Sequence, residues 1–147
     1  IEGTTDFIFG PSTALFENCE IRSKTNSYVT AASTPEDIAV GYVFKNCKLT
    51  ANPGVDKVYL GRPWRPYAAT VFINCEMGKH IRPEGWHNWG KEENEKTARY
   101  AEYNSTGEGA AVAGRVKWAK QLTKKEAAQY DDLNYIYRMC SDWKPEN

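Results

Sequence analysis

A seven-residue pattern occurs three times in this chain at a constant spacing. The pattern is apolar-Phe-x-Asn-Cys-x-apolar, and it occupies residues 15–21, 43–49 and 71–77, so each copy begins 28 residues after the one before. The residues after each Asn alternate between apolar and charged, which is typical of a β-strand. Asn tolerates the left-handed conformation and marks a bend between short strands. Repeats of this kind stack on one another to bury a common face, so the sequence predicts an all-β parallel solenoid.

The three cysteines of the repeat should form one column on the inside of the solenoid. Stacked strands lie about 4.8 Å apart and run in the same direction, which places Cys19, Cys47 and Cys75 a little too far apart for good disulfide geometry. We therefore predict buried thiols that act as small apolar groups. The chain contains no Cys-x-x-Cys or His-x-x-x-His pattern, so we expect no metal and no cofactor.

Length and charge exclude several functional classes. A chain of 147 residues is expected to form one domain. Its 19 Lys and Arg residues balance its 19 Asp and Glu residues, so neither nucleic acid nor an anionic membrane is expected as the main partner. The longest apolar runs are a handful of residues, far short of the roughly 18 that a membrane span needs.

The end of the chain is predicted to be helical. Thr123 and Glu126 match a capping box, and the following helix should cover the solenoid as a C-terminal cap. Residues 115–118 could form one last strand before it. The expected layout is therefore coils over residues 1–80, long loops and a last strand over residues 81–121, and a C-terminal helix and tail over residues 122–147. Because no equivalent cap precedes the first coil, we expect a partial chain that lacks N-terminal coils.

One of two segments that break the alternating pattern contains Asp6. This carboxylate lies in a run of bulky apolar residues, although Asp is disfavoured in strands. If the strand alternates regularly, Phe7 and Phe9 fill the interior and Asp6 lies on the outer face.

The second segment contains Arg62 and Trp64 on a turn bounded by prolines. Asp6 lies ten residues before Phe16 and Arg62 lies ten before Phe72, which predicts one lane of the solenoid, two coils or roughly 10 Å apart. A long Arg side chain can close that gap and form a charge-assisted pair. An oriented, ionised carboxylate is a competent nucleophile, and Trp64 offers a flat surface for a sugar ring. The spacing alone slightly favours the alternative, a purely structural ion pair with a packing Trp64.

Residues 3–10, Gly-Thr-Thr-Asp-Phe-Ile-Phe-Gly, and residues 60–64, Leu-Gly-Arg-Pro-Trp, resemble the two C-terminal signature motifs of pectin methylesterases. The resemblance continues through residues 83–89, 102–110 and 115–118. It implies a right-handed parallel β-helix and hydrolysis of the methyl esters of galacturonate units in pectin, with release of methanol. The expected partner is methylated polygalacturonate, and the expected location is secreted, periplasmic or extracellular, at the cell wall.

The resemblance also implies roles for four residues. Asp6 would attack the ester carbonyl, Arg62 would hold that carboxylate, and Trp64 would line the sugar groove. Phe9 would lie near the substrate, although strand parity places it inside. The family's acid–base Asp and its oxyanion-stabilising Gln residues belong to motifs upstream of the nucleophile. These 147 residues alone are therefore expected to be nearly inactive. The expected state is a monomer, alone or together with the N-terminal part of its own chain.

Two other functions remain open from the residues. A non-catalytic β-solenoid could bind polyuronide through Trp64 without turning it over, and a purely structural solenoid would bind none. Trp86 and Trp89 could extend the sugar groove or pack a long loop against the coils. His87 could act as a base or simply pack between them.

Overall fold

Every pair of neighbouring strands in the described part of the chain is parallel. The structure is a computed structural model that describes residues 1–137; the predicted tail over residues 138–147 lies outside the described residues. Within that range the strands are Glu2–Gly3 (β1), Ile8–Gly10 (β2), Ala14–Glu17 (β3), Glu20–Ser23 (β4), Tyr28–Ala32 (β5), Tyr42–Lys45 (β6), Lys48–Ala51 (β7), Tyr59–Gly61 (β8), Ala69–Ile73 (β9), Glu76–Met77 (β10), Arg99–Tyr103 (β11) and Lys120–Gln121 (β12).

The strands form three parallel sheets that the chain visits in turn, which confirms the predicted all-β solenoid. The sheet orders are β1-β4-β7-β10, β12-β11-β9-β6-β3 and β2-β5-β8. In the second sheet Phe16 pairs with Phe44 and Phe44 with Phe72, so the 28-residue period of the sequence is the register of the strands. The rings of this column stack with centres 4.7 and 4.4 Å apart inside the coils.

The repeated Asn residues make the bends that their position predicts. Asn18, Asn46 and Asn74 have φ of 56°, 54° and 53°, in the left-handed region. The structure adds a fourth member, Asn104, with φ of 50°, which follows β11 and lies beside Asn74. Its side-chain Nδ2 donates to Asn74 Oδ1 at 3.0 Å. The sequence repeat misses this coil because Glu102 and Ser105 occupy the positions of the expected Phe and Cys, and the spacing between the Asn residues lengthens to 30 residues.

The cysteines of the repeat are free thiols on the inner side of the coils, as predicted. Cys47 and Cys75 are buried, and Cys19 is half-buried at the first described coil. The Cys47 thiol donates to the Phe16 carbonyl at 3.3 Å, and the Cys75 thiol donates to the Phe44 carbonyl at 3.6 Å. The Cys47 and Cys75 thiols therefore each contact a carbonyl of the coil before them.

The last strand and the helices lie near the C-terminal end. The prediction of a strand at residues 115–118 is wrong: that segment is a turn, and the last described strand is β12, which pairs with β11. The α-helices are Asn94–Thr97 (α1), Lys124–Ala128 (α2) and Leu133–Ile136 (α3), and short 3-10 turns cover Glu108–Ala110, Val112–Gly114 and Gln129–Asp131. No helix among residues 1–137 is long and apolar enough to cross a membrane.

The predicted C-terminal helix is present and begins with the predicted capping box of Thr123 and Glu126. The helical segment packs along the outer face of the second sheet, where Ile136 joins Val43 and Val71 in a separate buried cluster. Strands of this sheet are apolar on both faces, so the outer face needs a cover as much as the end of the coil does.

Candidate active site

The site lies on the outer face of the third sheet, around the start of β2. Phe7 precedes the strand and packs against the core, whereas Ile8 is buried in β2 and Phe9 points outward with 64% of its surface exposed. The parity prediction that placed Phe9 inside is therefore wrong. It assumed that the strand begins at Asp6, but Asp6 has a positive φ of 49°, which turns the chain and shifts the alternation. Asp6 and Phe9 consequently face the same surface.

Asp6 and Arg62 form the predicted ion pair. Arg62 Nε donates to Asp6 Oδ1 at 3.1 Å, and Arg62 Nη2 donates to Asp6 Oδ2 at 2.7 Å. This bidentate geometry makes guanidinium–carboxylate pairs strong and fixes their relative orientation. Only 21% and 20% of the two side chains are exposed, so water competes weakly for the pair.

Asp6 and Arg62 form this pair although their backbones do not lie in the predicted register. The Asp6 N–H donates to the Tyr28 carbonyl at 2.9 Å, and Tyr28 pairs in register with Tyr59. Arg62 lies three residues beyond Tyr59, so its backbone is not level with Asp6 and the predicted register is wrong. The connections that flank this sheet differ in length, which breaks the 28-residue period on this face. The Arg62 side chain instead reaches diagonally back across the sheet to the carboxylate.

Two aromatic rings enclose the guanidinium of Arg62. Its central carbon lies 3.9 Å from the centre of the Tyr28 ring and 3.8 Å from the centre of the Trp89 ring. Trp86, by contrast, is buried in the core and stacks on Tyr100 with centres 4.3 Å apart. Of the two alternatives for these tryptophans, Trp86 packs the loop against the solenoid, while Trp89 faces the site.

An open cavity of about 350 Å³ lies in front of the carboxylate. Its lining residues are Thr5, Asp6, Phe9, Ala31, Trp64 and Trp89. The rings of Phe9 and Trp64 meet edge to face with centres 5.8 Å apart, and 40% of Trp64 is exposed. Among these described lining residues, Asp6 alone has an ionisable side chain. The arrangement offers one oriented carboxylate between exposed aromatic walls.

The glycine of the Leu-Gly-Arg-Pro-Trp motif permits close packing behind this cavity. A Cβ on Gly61 would lie 2.1 Å from the hydroxyl oxygen of Thr30, which donates to the Leu60 carbonyl at 2.9 Å. Any side chain at this position would push β8 away from β5. Gly61 therefore allows the neighbouring Arg62 to lie close enough to reach Asp6.

His87 packs beside the site rather than facing the cavity. Its ring meets those of Tyr28 and Tyr59 edge to face at 5.6 and 5.2 Å. Its Nδ1 accepts a hydrogen bond from the Trp89 N–H at 3.0 Å. Burial, together with the charges of Arg62 and Arg82, lowers the pKa of His87, so the imidazole stays neutral and available as an acceptor.

A second ion pair, which the sequence pattern did not predict, is fully buried. Arg115 Nε donates to Glu102 Oε2 at 2.9 Å and Arg115 Nη2 donates to Glu102 Oε1 at 3.0 Å, with 3% of each side chain exposed. Glu102 pairs in register with Phe72, so a carboxylate occupies the continuation of the Phe column. The signal in the sequence was a charged residue, Glu102, at a position where the column of Phe residues predicts an apolar one. Trp86 Nε1 also donates to Glu102, at 3.3 Å, which ties the loop before Trp89 to β11.

Within the described residues, no group of three or more His, Cys, Asp and Glu side chains is placed to hold a metal ion.

A profile of the family described as Pectinesterase matches residues 1–139. Pectinesterase 31 of Arabidopsis thaliana is 44% identical over 137 residues, which cover 92% of this chain and 43% of that protein. Pectinesterase QRT1 of the same plant is 36% identical over 140 residues, which cover 93% of this chain and 36% of that protein.

Solved structures show the same similarity. Pectin methylesterase from carrot superposes with a TM-score of 0.85 at 30% identity, over 99% of this chain and 51% of that one. A pectin methylesterase in complex with hexasaccharide VII superposes with a TM-score of 0.80 at 32% identity, over 99% of this chain and 50% of that one. The chain thus spans about half the length of these solved relatives.

Proposed function

Since this chain belongs to the pectinesterase family, we propose that it carries the nucleophile of a pectin methylesterase, Asp6, together with the arginine that holds it, Arg62. The observation that carries the proposal is the bidentate Asp6–Arg62 pair at the edge of an aromatic-walled cavity. Its substrate would be the methyl ester of a galacturonate unit in pectin, and its products would be methanol and a free carboxylate.

The reaction proposed for Asp6 has two stages. A carboxylate oxygen of Asp6 forms a bond to the ester carbonyl carbon, the bond from that carbon to the methoxy oxygen breaks, and the methoxy oxygen takes a proton to leave as methanol. Water then attacks the resulting anhydride, which frees the galacturonate carboxylate and regenerates Asp6. Arg62 binds both oxygens of the resting carboxylate and so fixes its orientation before the attack.

Phe9 and Trp64 are proposed to bind the sugar. Both are large, exposed aromatic side chains on the cavity wall, 64% and 40% exposed. Apolar faces of this kind suit the apolar face of a pyranose ring, and a small number of polar groups then orient the ligand. This proposal accounts for two exposed rings that contact each other at the mouth of the cavity.

The remaining catalytic groups are proposed to come from a longer protein. The departing methoxy group needs a proton and the carbonyl oxygen needs hydrogen-bond donors. Among the described residues that line the cavity, none but Asp6 can ionise, and the chain covers 43% of Pectinesterase 31. Following the resemblance, we assign these roles to an Asp and to Gln residues of upstream coils.

The same proposal places the protein at the cell wall. Pectin is a polymer that does not cross membranes, so an enzyme that acts on it works outside the cytoplasm, whether secreted or periplasmic. We propose that it acts there as a monomer.

A chimera tests the function. This chain replaces the matching segment of Pectinesterase 31, and methanol release from methylated pectin is measured for the chimera and its Asp6→Asn variant. We expect Asp6→Asn to reduce the rate by at least about 1,000-fold, because it removes the nucleophile and keeps the shape. Asp56→Asn makes the same chemical change at an exposed loop position and should leave the rate unchanged.

Two outcomes would contradict the proposal. An Asp6→Asn chimera that keeps its rate would show that Asp6 is not the nucleophile. A folded chimera that binds polygalacturonate through Trp64, yet releases no methanol, would favour the non-catalytic binding solenoid instead.

A further inference from the structure

The guanidinium of Arg62 is held on both of its faces. Its central carbon lies 3.9 Å from the centre of the Tyr28 ring and 3.8 Å from the centre of the Trp89 ring, and two rings this close to one carbon fit only on opposite faces of the cation. Two of its N–H groups donate to Asp6 in the plane between the rings. A planar cation between two aromatic faces loses its freedom to tilt, and the rings keep water off both faces.

Trp89 reaches this position through an unfavourable backbone conformation. Its φ is 62°, a left-handed value that is rare for a bulky residue and persists only where the surroundings enforce it. Three hydrogen bonds supply that support. The Trp89 N–H donates to His87 Nδ1 at 3.0 Å, the Gly90 N–H donates to Asn88 Oδ1 at 2.8 Å, and buried Asn94 donates to the Asn88 carbonyl at 3.1 Å.

The loop that carries Trp89 is fixed to the strand that leads to Arg62. The His87 N–H donates to the Gly61 carbonyl at 3.1 Å, one residue before Arg62. On the other side, Tyr28 is held in β5 and stacks on Tyr59 with ring centres 5.2 Å apart. Neither ring can therefore move independently of the backbone around the guanidinium.

From this geometry we propose that Tyr28 and Trp89 are positioning residues that fix Arg62, and through it Asp6, for attack on the ester. The inference rests on the proposed function, in which Asp6 is the nucleophile. Trp89 also lines the cavity, whereas Tyr28 lies behind Arg62 and does not. A substitution of Tyr28 therefore changes the surroundings of Arg62 without removing a group that contacts the substrate.

The proposal predicts a loss of rate rather than of affinity. With either ring removed, the guanidinium can tilt and the carboxylate turns with it, so fewer bound substrates meet a correctly oriented oxygen. In the chimera, Tyr28→Leu and Trp89→Leu should each lower kcat about tenfold, with KM changed by less than about twofold. Tyr28→Phe and Trp89→Phe keep a ring face and should return kcat to within about threefold.

Tyr103→Leu is the matched control. It removes a half-buried tyrosine ring from β11 of the second sheet, where the ring packs against the cluster of Val43 and Val71 instead of Arg62. We expect kcat to stay within about twofold of the unsubstituted chimera. Circular dichroism and thermal unfolding of each variant show that the coils are intact, and the Phe variants keep the test valid if a Leu variant is less stable.

A double-mutant cycle tests whether the rings act through Arg62. If they do, Tyr28→Leu and Trp89→Leu have little further effect, less than about twofold, once Arg62→Gln has removed the guanidinium. The positioning role is wrong if Tyr28→Leu or Trp89→Leu lowers kcat as much in the Arg62→Gln chimera as in the chimera that keeps Arg62. It is also wrong if these substitutions raise KM and leave kcat unchanged. Either result contradicts only the positioning role, and the proposed function still holds if the Asp6→Asn chimera is inactive. An active Asp6→Asn chimera contradicts both the proposed function and this inference.

Discussion

Three residues other than Gly and Asn have a positive φ among residues 1–137, and all three belong to segments that build the site. Asp6 has φ of 49°, Trp89 has φ of 62°, and Tyr67, with φ of 68°, ends the turn that begins after Arg62. Such conformations cost of order 1–3 kcal/mol each and tend to occur at functional sites. The chain therefore concentrates its backbone strain around one carboxylate and its arginine.

The buried pair of Glu102 and Arg115 is the residue-scale feature with the largest expected effect on stability. Both side chains are 3% exposed, and Arg115 also donates to the carbonyls of Gly109, Arg82 and Pro83. One side chain thus connects two other loop segments, at residues 82–83 and at Gly109, to strand β11.

We predict that Arg115→Met lowers the free energy of unfolding by about 3–5 kcal/mol, because it leaves the Glu102 carboxylate buried without a counter-charge. Adding Glu102→Leu should recover about 1–4 kcal/mol, since it removes the unpaired charge as well. Urea unfolding of the single and double variants measures both values. A double variant no more stable than Arg115→Met would show that the loop contacts of Arg115, and not the buried charge, dominate.

His87 gives the stability a predictable pH dependence. Its pKa is lowered from the ordinary 6.5 by burial and by Arg62 and Arg82, so below about pH 6.5 the unfolded chain takes up a proton that the folded chain resists. The free energy of unfolding should therefore fall as the pH drops below that value and stay level above it.

The measurement compares urea unfolding at pH 7.5 and pH 5.5. His87→Gln cannot take up the proton and should show a smaller decrease than the unsubstituted chain. The buried His80, whose pKa is also lowered by burial, accounts for part of the decrease that remains. If the free energy of unfolding decreases equally in both proteins, His87 does not contribute to the pH dependence of stability.

At the scale of elements, the Asn bends are what holds the 28-residue period. Each Asn joins a strand of the second sheet to a strand of the first, and the backbone N–H groups of Asn18, Asn46 and Asn74 donate to carbonyls of the next coil at 2.9–3.0 Å. The Asn side chains themselves are exposed, so their contribution is mainly conformational.

We predict that Asn46→Ala costs about 1–2 kcal/mol of unfolding free energy, because Ala is strained at a φ of 54°. Asn46→Gly should cost clearly less, since Gly adopts this conformation without a Cβ clash. Urea unfolding of the two variants provides the comparison. If Gly and Ala prove equally costly, contacts of the Asn side chain rather than its φ stabilise the bend.

At the scale of the whole molecule, the sheets with a constant register build the solenoid, whereas the sheet with a variable register holds the candidate site. The first two sheets keep the 28-residue register from β3 to β9 and from β4 to β10, and the second is covered by the C-terminal helices. On the third sheet the register steps are 22 residues between β2 and β5 and 31 between β5 and β8. The variable connections lie where the cavity, Arg62 and Trp64 are found.

For the whole molecule we predict that the 147-residue chain alone releases methanol from pectin at least about 100-fold more slowly than the chimera. The reason is that the described cavity supplies a nucleophile and aromatic walls but no second ionisable group. A methanol assay at equal concentrations, with circular dichroism to confirm folding, makes the comparison. Equal rates would mean that the proton donor lies within this chain.

Much of this protein follows from its sequence. The 28-residue period predicts parallel coils because residues that recur at a fixed interval can be buried only by stacking. Asn18, Asn46 and Asn74 predict the bends, and Thr123 with Glu126 predicts the helix start, because these are local preferences of the backbone. The pairing of Asp6 with Arg62 was likewise foreseen, since two opposite charges on one face attract each other wherever their side chains can reach.

Other features depended on the tertiary structure. The direction of Phe9 and the true level of Arg62 follow from a left-handed turn at Asp6 and from unequal loops, neither of which alters the residue pattern. The Glu102–Arg115 pair and the enclosure of Arg62 join segments far apart in the chain. Sequence determined the coils because their cause is local and periodic, whereas the surroundings of the carboxylate were decided by how irregular loops fold over one sheet.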